Sequence, residues 1–125
     1  MVLRWIDRTV IEAEEEYSRL QLEPVQKQIV DMVSGLLCQY VPLSKLAMKG
    51  FAWRSIIKWQ QNNRRPLSDV EKMNAEQKTA AAKEIFDNLE VYLIAVLHNK
   101  ENETVIRDGI HKALKFYKDN YANRA

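Results

Sequence analysis

Hydrophobic side chains recur every three or four residues along most of this chain, with polar side chains between them. That spacing places them on one face of an α-helix. Three such stripes are long, and they consist of Leu3, Ile6, Val10, Ala13, Tyr17 and Leu20, of Val25, Ile29, Met32, Leu36 and Tyr40, and of Ile106, Ile110, Ala113, Tyr117 and Tyr121. No stretch alternates hydrophobic and polar residues as a strand does, so we predict an all-α fold.

Helix-breaking residues divide the middle of the chain. Pro42, Gly50 and Pro66 predict two short helical pieces, 43–49 and 52–61, which form an irregular pair near 43–61. We expect this pair to be the least regular part of the fold.

A long helix is predicted near 75–98. Its start is ambiguous, because Ser68 and Asn74 each precede a glutamate or glutamine by three residues and can therefore cap a helix. Hydrophobic residues between 85 and 97 cover more than one side of this helix, which predicts that other helices surround it. We expect a bundle of four to five helices with the 75–98 helix at its centre.

The composition favours a single folded domain over residues 1–125. Of the 125 residues, 46% are hydrophobic and 29% are charged, which is typical of a folded protein and not of a disordered chain. Three glycines and three prolines supply little turn chemistry for a β-sandwich or barrel.

Cysteine usage and the apolar runs bear on where the protein is found. Cys38 is the one cysteine, so the chain forms no internal disulfide, and it stands in an apolar stretch where a buried thiol is usual. The start of the chain is charged and lacks the hydrophobic region of a secretory signal, and the longest apolar run, 91–97, is too short to cross a bilayer. We predict a cytoplasmic protein without a membrane partner.

The formal net charge of +2 conceals a basic segment. Residues 32–68 contain no acidic residue and carry six cations, which are Lys45, Lys49, Arg54, Lys58, Arg64 and Arg65. One explanation is that the glutamates of the first helix pack against this segment and neutralise it. The other is that the segment binds an anionic partner, either a nucleic acid or an acidic protein.

The sequence from Gly50 to Pro66 resembles the turn, recognition helix and following loop of the lambda-repressor-like helix-turn-helix family. The family has a glycine in the turn, hydrophobic residues six and nine positions later, and an arginine and a proline after the helix, and these positions hold Gly50, Ile56, Trp59, Arg64 and Pro66. Asn62 stands at the end of the helix, where it can adopt a positive φ. Lys49 departs from the pattern, which has a buried apolar residue at that position.

The resemblance implies a DNA-binding regulator in which Arg54, Ser55 and Lys58 face the major groove. With the flanking cations, the candidate residues for binding a nucleic acid or another anionic partner are Lys45, Lys49, Arg54, Ser55, Lys58, Arg64 and Arg65. Residues 69–125 would then serve dimerisation or the binding of an effector.

Candidate catalytic chemistry is sparse. Arg107 and His111 lie one helical turn apart, where an arginine can hold a phosphate while a histidine acts as a base, but such pairs are common on helix surfaces. The two histidines and the cysteine lie in separate elements, so we expect no metal site. We expect a protein that is not an enzyme and uses no cofactor.

The function that we expect is binding to another protein, as an adaptor, an inhibitor, an immunity-type partner or a subunit of a complex. A helix-turn-helix regulator that reads DNA with residues 43–66 is the alternative. Aromatic side chains dominate protein–protein contacts, so the candidate anchors are Trp5, Tyr40, Phe51, Trp53 and Trp59, and for most of them a position in the core is an equal alternative. The chain is also a candidate for forming a homodimer.

Overall fold

The computed structural model describes residues 8–97 and 100–122, and the side chains of all of these except residues 100, 101, 121 and 122. Five α-helices follow one another, and we number them α1 (Arg8–Ser18), α2 (Pro24–Cys38), α3 (Lys45–Asn63), α4 (Ala75–Val96) and α5 (Lys100–Tyr117). A 3₁₀ helix, Leu67–Lys72, joins α3 to α4, and a π-helical segment, Lys118–Ala122, continues α5. The described residues contain no strand, which confirms the all-α prediction.

Local caps fix where two of the helices begin. Pro24 is the first residue of α2, where its missing N–H leaves no hydrogen bond unmade. Asn74 caps α4: its side chain accepts from the N–H of Gln77 at 2.8 Å, and the Gln77 side chain accepts from the N–H of Asn74 at 3.0 Å. Of the two predicted starts, Asn74 is therefore the one used, and Ser68 lies in the 3₁₀ helix.

Residues 45–63 form one helix, so the predicted irregular pair near 43–61 is wrong. α3 runs without a break past Gly50, which has no positive φ. The left-handed residue that ends α3 is Arg64, with φ 50° and ψ 43°, whereas Asn62 is helical. The structure thus lacks the turn on which the helix-turn-helix resemblance depends.

α3, rather than α4, occupies the centre of the bundle. It packs against α1, α2 and α4, whereas α4 packs chiefly against α3 and α5. The buried residues of α3 are Ala47, Met48, Gly50, Phe51, Ala52, Ser55, Ile56 and Trp59. Because they lie on several sides of the helix and are interrupted by cations, they leave no single stripe for the sequence to reveal.

Gly50 allows α1 and α3 to approach closely. A Cβ atom on Gly50 would lie 2.5 Å from the carbonyl oxygen of Ala13 and 3.2 Å from its Cβ. Ala13 is fully buried, and with Val10 it makes up the buried part of α1. The contact of α1 with the core therefore depends on small residues at one crossing point.

Ser44 joins the start of α3 to α1. Its hydroxyl accepts from the N–H of Ala47 at 3.1 Å and donates to Glu14 Oε2 at 2.7 Å. Ser44→Ala removes both hydrogen bonds, so we expect the free energy of unfolding in urea to fall by about 1–2 kcal/mol. The control is Ser68→Ala, because Ser68 is exposed. An equal loss in both variants would contradict this role for Ser44.

Candidate functional site

The cations of the basic segment do not share one face of α3. At about 100° per residue, the nine positions from Lys45 to Arg54 turn the helix by about 180°. Lys45 and Lys49 therefore lie on one side of α3, and Arg54 and Lys58 lie on the opposite side. A single groove of a nucleic acid cannot meet both sides.

Two of these cations pair with acids of neighbouring helices. The Lys49 ammonium lies 3.2 Å from Asp31 Oδ1 of α2, and the Arg54 guanidinium donates to Glu16 Oε2 of α1 at 2.7 Å. The Arg54 guanidinium also lies 5.5 Å from the centre of the Phe51 ring. Glu16 of α1 thus neutralises Arg54, as the first of the two explanations expects, and Asp31 of α2 adds a counter-charge that this explanation did not include.

Ser55 does not face solvent. It is fully buried, and its hydroxyl donates to the carbonyl of Phe51 at 3.0 Å. The prediction that Ser55 faces a major groove is therefore wrong, and the side chain of Arg54 is only 27% exposed. The physical reason is that α1, α2 and α4 pack around α3. Side-chain positions that would be exposed on a recognition helix are therefore covered by neighbouring helices in this protein.

The remaining cations stay at the surface. Lys45, Lys58 and Arg64 are exposed and form no ion pair with a described acidic residue. Arg65 Nε lies 3.2 Å from Asp69 Oδ2. Binding of an anionic partner by these residues stays a prediction, and the structure spreads them around α3 and beyond its end.

An apolar groove opens between α2, the 3₁₀ helix, α4 and the end of α5. Its outer end has a volume of about 350 Å³ and an apolar lining of Val25, Ile29, Met32, Val70 and Tyr117. A narrow inner end of about 40 Å³ continues towards the core and is also lined by Val33, Leu67, Ala81, Ala82, Ile85 and Phe86. We call the two ends together the α2–α4 groove.

Three polar side chains border the α2–α4 groove. Gln28 and Glu71 line its outer end only, whereas Lys78 lines both ends. No side-chain hydrogen bond or ion pair joins any of the three to another described residue. Their polar groups are therefore available to a bound partner.

Tyr117 forms one wall of the groove and is nearly buried. A phenol is neutral at physiological pH even at its ordinary pKa, and burial raises the pKa of this hydroxyl further. The charges in the lining are thus those of Lys78 and Glu71.

A second recess lies where α1 leads into α2. It has a volume of about 380 Å³, and Tyr17, Leu20, Leu22, Lys27 and Leu46 are among its lining residues. Burial, and to a lesser extent the Asp31 carboxylate, raise the pKa of the Tyr17 hydroxyl. Part of this recess is built from the segment that connects α1 to α2, whereas helices wall the α2–α4 groove on every side. A site on helices is held more rigidly, so the α2–α4 groove is the stronger candidate.

Most of the predicted aromatic anchors contribute to the fold. Phe51 is fully buried and Trp59 is 2% exposed, so of the two alternatives, anchor or core, both residues belong to the core. Tyr40 and Trp53 are half-buried. Trp5 lies outside the described residues.

The features that could serve an enzyme or a membrane protein are few in the described part of the chain. Arg107 and His111 are exposed on α5, and the Arg107 guanidinium lies 2.6 Å from Glu103 Oε1 on the preceding turn. Among the side chains that the structure describes, no group of three or more His, Cys, Asp or Glu could hold a metal ion. None of the described helices has the length and apolar character to span a membrane.

Similarity to a protein of known function would indicate the class of partner that this chain binds. No family model, curated protein or solved structure matches this chain. The α2–α4 groove and the surface cations are therefore the features from which a function can be argued.

The sequence assigned the groove residues to the core. Val25, Ile29 and Met32 belong to the stripe of α2, and Tyr117 belongs to the stripe of the last helix. In the structure the three α2 residues are only half-buried, because the groove runs along that side of α2. The hydrophobic pattern could not have revealed the groove, because a helix has the same periodicity whether its apolar face is covered by the protein's own helices or by a partner.

Cys38 is a half-buried thiol at the end of α2. Burial raises its pKa, and the ammonium groups of Lys45 and Lys49 oppose only part of that rise. A raised pKa lowers the fraction of reactive thiolate. At about pH 8 we therefore expect iodoacetamide to label the folded chain roughly fivefold or more slowly than the urea-unfolded chain. Mass spectrometry measures both rates, and equal rates would contradict the burial of this thiol.

Proposed function

We propose that this protein acts by binding a partner protein, as an adaptor, an inhibitor, an immunity-type partner or a subunit of a complex in the cytoplasm. The observation that supports the proposal is the α2–α4 groove, in which four half-buried apolar side chains, Val25, Ile29, Met32 and Val70, line an open space of about 350 Å³. Concave apolar surface of this size is typical of binding sites. The role that we propose is non-enzymatic, and the apolar character of most of the groove lining supports it.

The shape of the groove fits a helix of the partner. The α2 residues that line it are Val25, Gln28, Ile29 and Met32, which follow the spacing i, i+3, i+4, i+7. This spacing covers two helical turns, about 10 Å along α2. A partner helix lying along this wall can pack its side chains between those of α2, as in other helix-in-groove complexes.

Helical peptides selected on the 125-residue chain test the proposal. A displayed library of helices of about 16 residues, with one apolar face, is selected on the immobilised protein, and fluorescence anisotropy gives the affinities. We expect Val25→Glu to weaken binding about tenfold or more, because it brings a carboxylate into the apolar groove. Val25 lies in the first turn of α2, where a glutamate suits the helix dipole, so the variant should fold.

Val91→Glu is the matched control. Val91 is 66% exposed on α4 and does not line the groove, so this variant should bind the peptides as tightly as the natural chain. Circular dichroism checks that both variants are helical. Failure of the library to yield a binder, or equal binding by the natural chain and Val25→Glu, would overturn the proposal.

Nucleic-acid binding is the other function to distinguish. A random-sequence duplex and a single-stranded RNA are titrated into the natural chain and into the double variant Arg64→Glu/Arg65→Glu, at low and at physiological salt. We expect no saturable binding at physiological salt, because Lys49 and Arg54 pair with acids and the other cations do not form one face. Saturable duplex binding that the double variant loses would favour DNA binding over the groove proposal.

A second copy of this chain is the remaining occupant to test. Light scattering at increasing protein concentration gives the oligomeric state of the natural chain and of Val25→Glu. We expect the two to have the same mass. A homodimer that Val25→Glu dissociates would assign the groove to a second copy and would overturn the proposal of a different partner.

A further inference from the structure

We infer that the partner helix carries an acidic residue one helical turn from its main apolar anchor, and that the carboxylate pairs with Lys78. The inference rests on the proposed function, because it concerns the chemistry of the same groove. Three observations carry it: the environment of Lys78, the narrowness of the inner end, and the position of Lys78 between the two ends.

Lys78 is unusual among the lysines of the molecule. Of the lysine side chains that the structure describes, two are half-buried, Lys49 and Lys78, and the others are exposed. Lys49 has a counter-charge, since its ammonium lies 3.2 Å from Asp31 Oδ1. Lys78 lies within ion-pairing distance of no described acidic residue, including Glu71 across the groove.

A partner that covers the groove removes further water from Lys78. An ammonium group that loses water without gaining a hydrogen-bonding anion is strongly destabilised. A carboxylate of the partner supplies that anion, and such charge-assisted hydrogen bonds are among the stronger polar contacts. At the partner position next to Lys78, the groove therefore favours a carboxylate over a neutral or basic side chain, because a basic side chain there would repel Lys78.

The inner end of the groove selects the apolar anchor. Two small residues, Ala81 and Ala82, leave a space of about 40 Å³ next to Phe86, which is room for the tip of one apolar side chain. Because Lys78 lines both the inner and the outer end, the anchor and the carboxylate must be close together on the partner. Positions three or four residues apart on a helix meet this requirement, since their side chains are about 5–6 Å apart.

A charge scan of the selected peptides tests the inference. In each groove-binding peptide, every polar position is occupied in turn by Glu, Gln or Lys, and the affinity for the 125-residue chain is measured. We expect one position, three or four residues from the anchor, at which Glu binds about five- to tenfold more tightly than Lys. Lys78→Glu should reverse the preference at that position, and Lys78→Met, which keeps an apolar chain of similar length, should abolish it.

Lys58→Glu is the control for the change in net charge. Lys58 is exposed on α3 outside the groove, so this variant should keep the preference of the natural chain. Peptides that bind in a Val25-dependent manner but keep the same preference in Lys78→Glu would overturn the inference and leave the groove proposal standing. Absence of any Val25-dependent binding would overturn both.

Discussion

Gly50→Ala is expected to lower the free energy of unfolding by about 2 kcal/mol, although alanine is the better helix former. The added Cβ would lie 2.5 Å from the carbonyl oxygen of Ala13, a backbone atom that cannot rotate away. Overpacking costs about 1–3 kcal/mol, or more against a rigid neighbour, and the gain of about 1 kcal/mol in helix propensity offsets only part of it. Urea denaturation measures the change. Amide hydrogen exchange in α1 should also increase, since α1 packs chiefly on α3.

Gly35→Ala is the control for this variant. Gly35 also lies within a helix, but a Cβ there would have no atom within 4 Å. The variant gains helix propensity without a clash, so we expect it to stabilise the protein by roughly 0.5–1 kcal/mol. If both glycine variants changed stability in the same direction, the requirement for glycine at the crossing of α1 and α3 would be refuted.

Phe86→Ala is expected to have the largest effect, a loss of about 3–5 kcal/mol in the free energy of unfolding. Phe86 is fully buried on α4 and borders the inner end of the α2–α4 groove, so its removal leaves a cavity at the junction of the groove and the core. Urea denaturation followed by tryptophan fluorescence measures the loss. Val91→Ala, on the exposed side of the same helix, should change stability by less than about 0.5 kcal/mol. A loss of less than about 1 kcal/mol for Phe86→Ala would contradict the core position of this ring.

The basic segment shows that cations close together in the sequence need not form one charged surface in the structure. Six cations without an acid suggested an anion-binding face, but four of them lie on two opposite sides of one helix. Two of these four have counter-charges on other helices: Glu16 pairs with Arg54, and Asp31 pairs with Lys49. Such pairs between distant parts of the chain have no signature in the sequence of either part.

The α2–α4 groove shows that the sequence pattern of apolar residues does not reveal tertiary contacts either. Val25 and Ile29 were correctly placed on the stripe of α2, and the structure leaves them half-covered beside the 3₁₀ helix. Whether a stripe is fully covered depends on how closely the neighbouring helices approach. Such approaches depend on residues that are distant in sequence: a Cβ on Gly109 of α5, for example, would lie 2.9 Å from Val41 Cγ2.

The sequence by itself determined the all-α class and the courses of α1, α2 and α5 within the described residues, and it narrowed the start of α4 to two caps, Ser68 and Asn74. These features depend on interactions within a few residues, such as the three- to four-residue periodicity and the reciprocal hydrogen bonds of Asn74 and Gln77. Only the tertiary structure decided that α3 is one helix at the centre of the bundle. Gly50 suggested a break in the sequence, but in the structure it makes room for the backbone of Ala13 on another helix. Only the tertiary structure likewise decided where the groove lies, because four separate elements must meet to form it and each of them alone is an ordinary amphipathic segment.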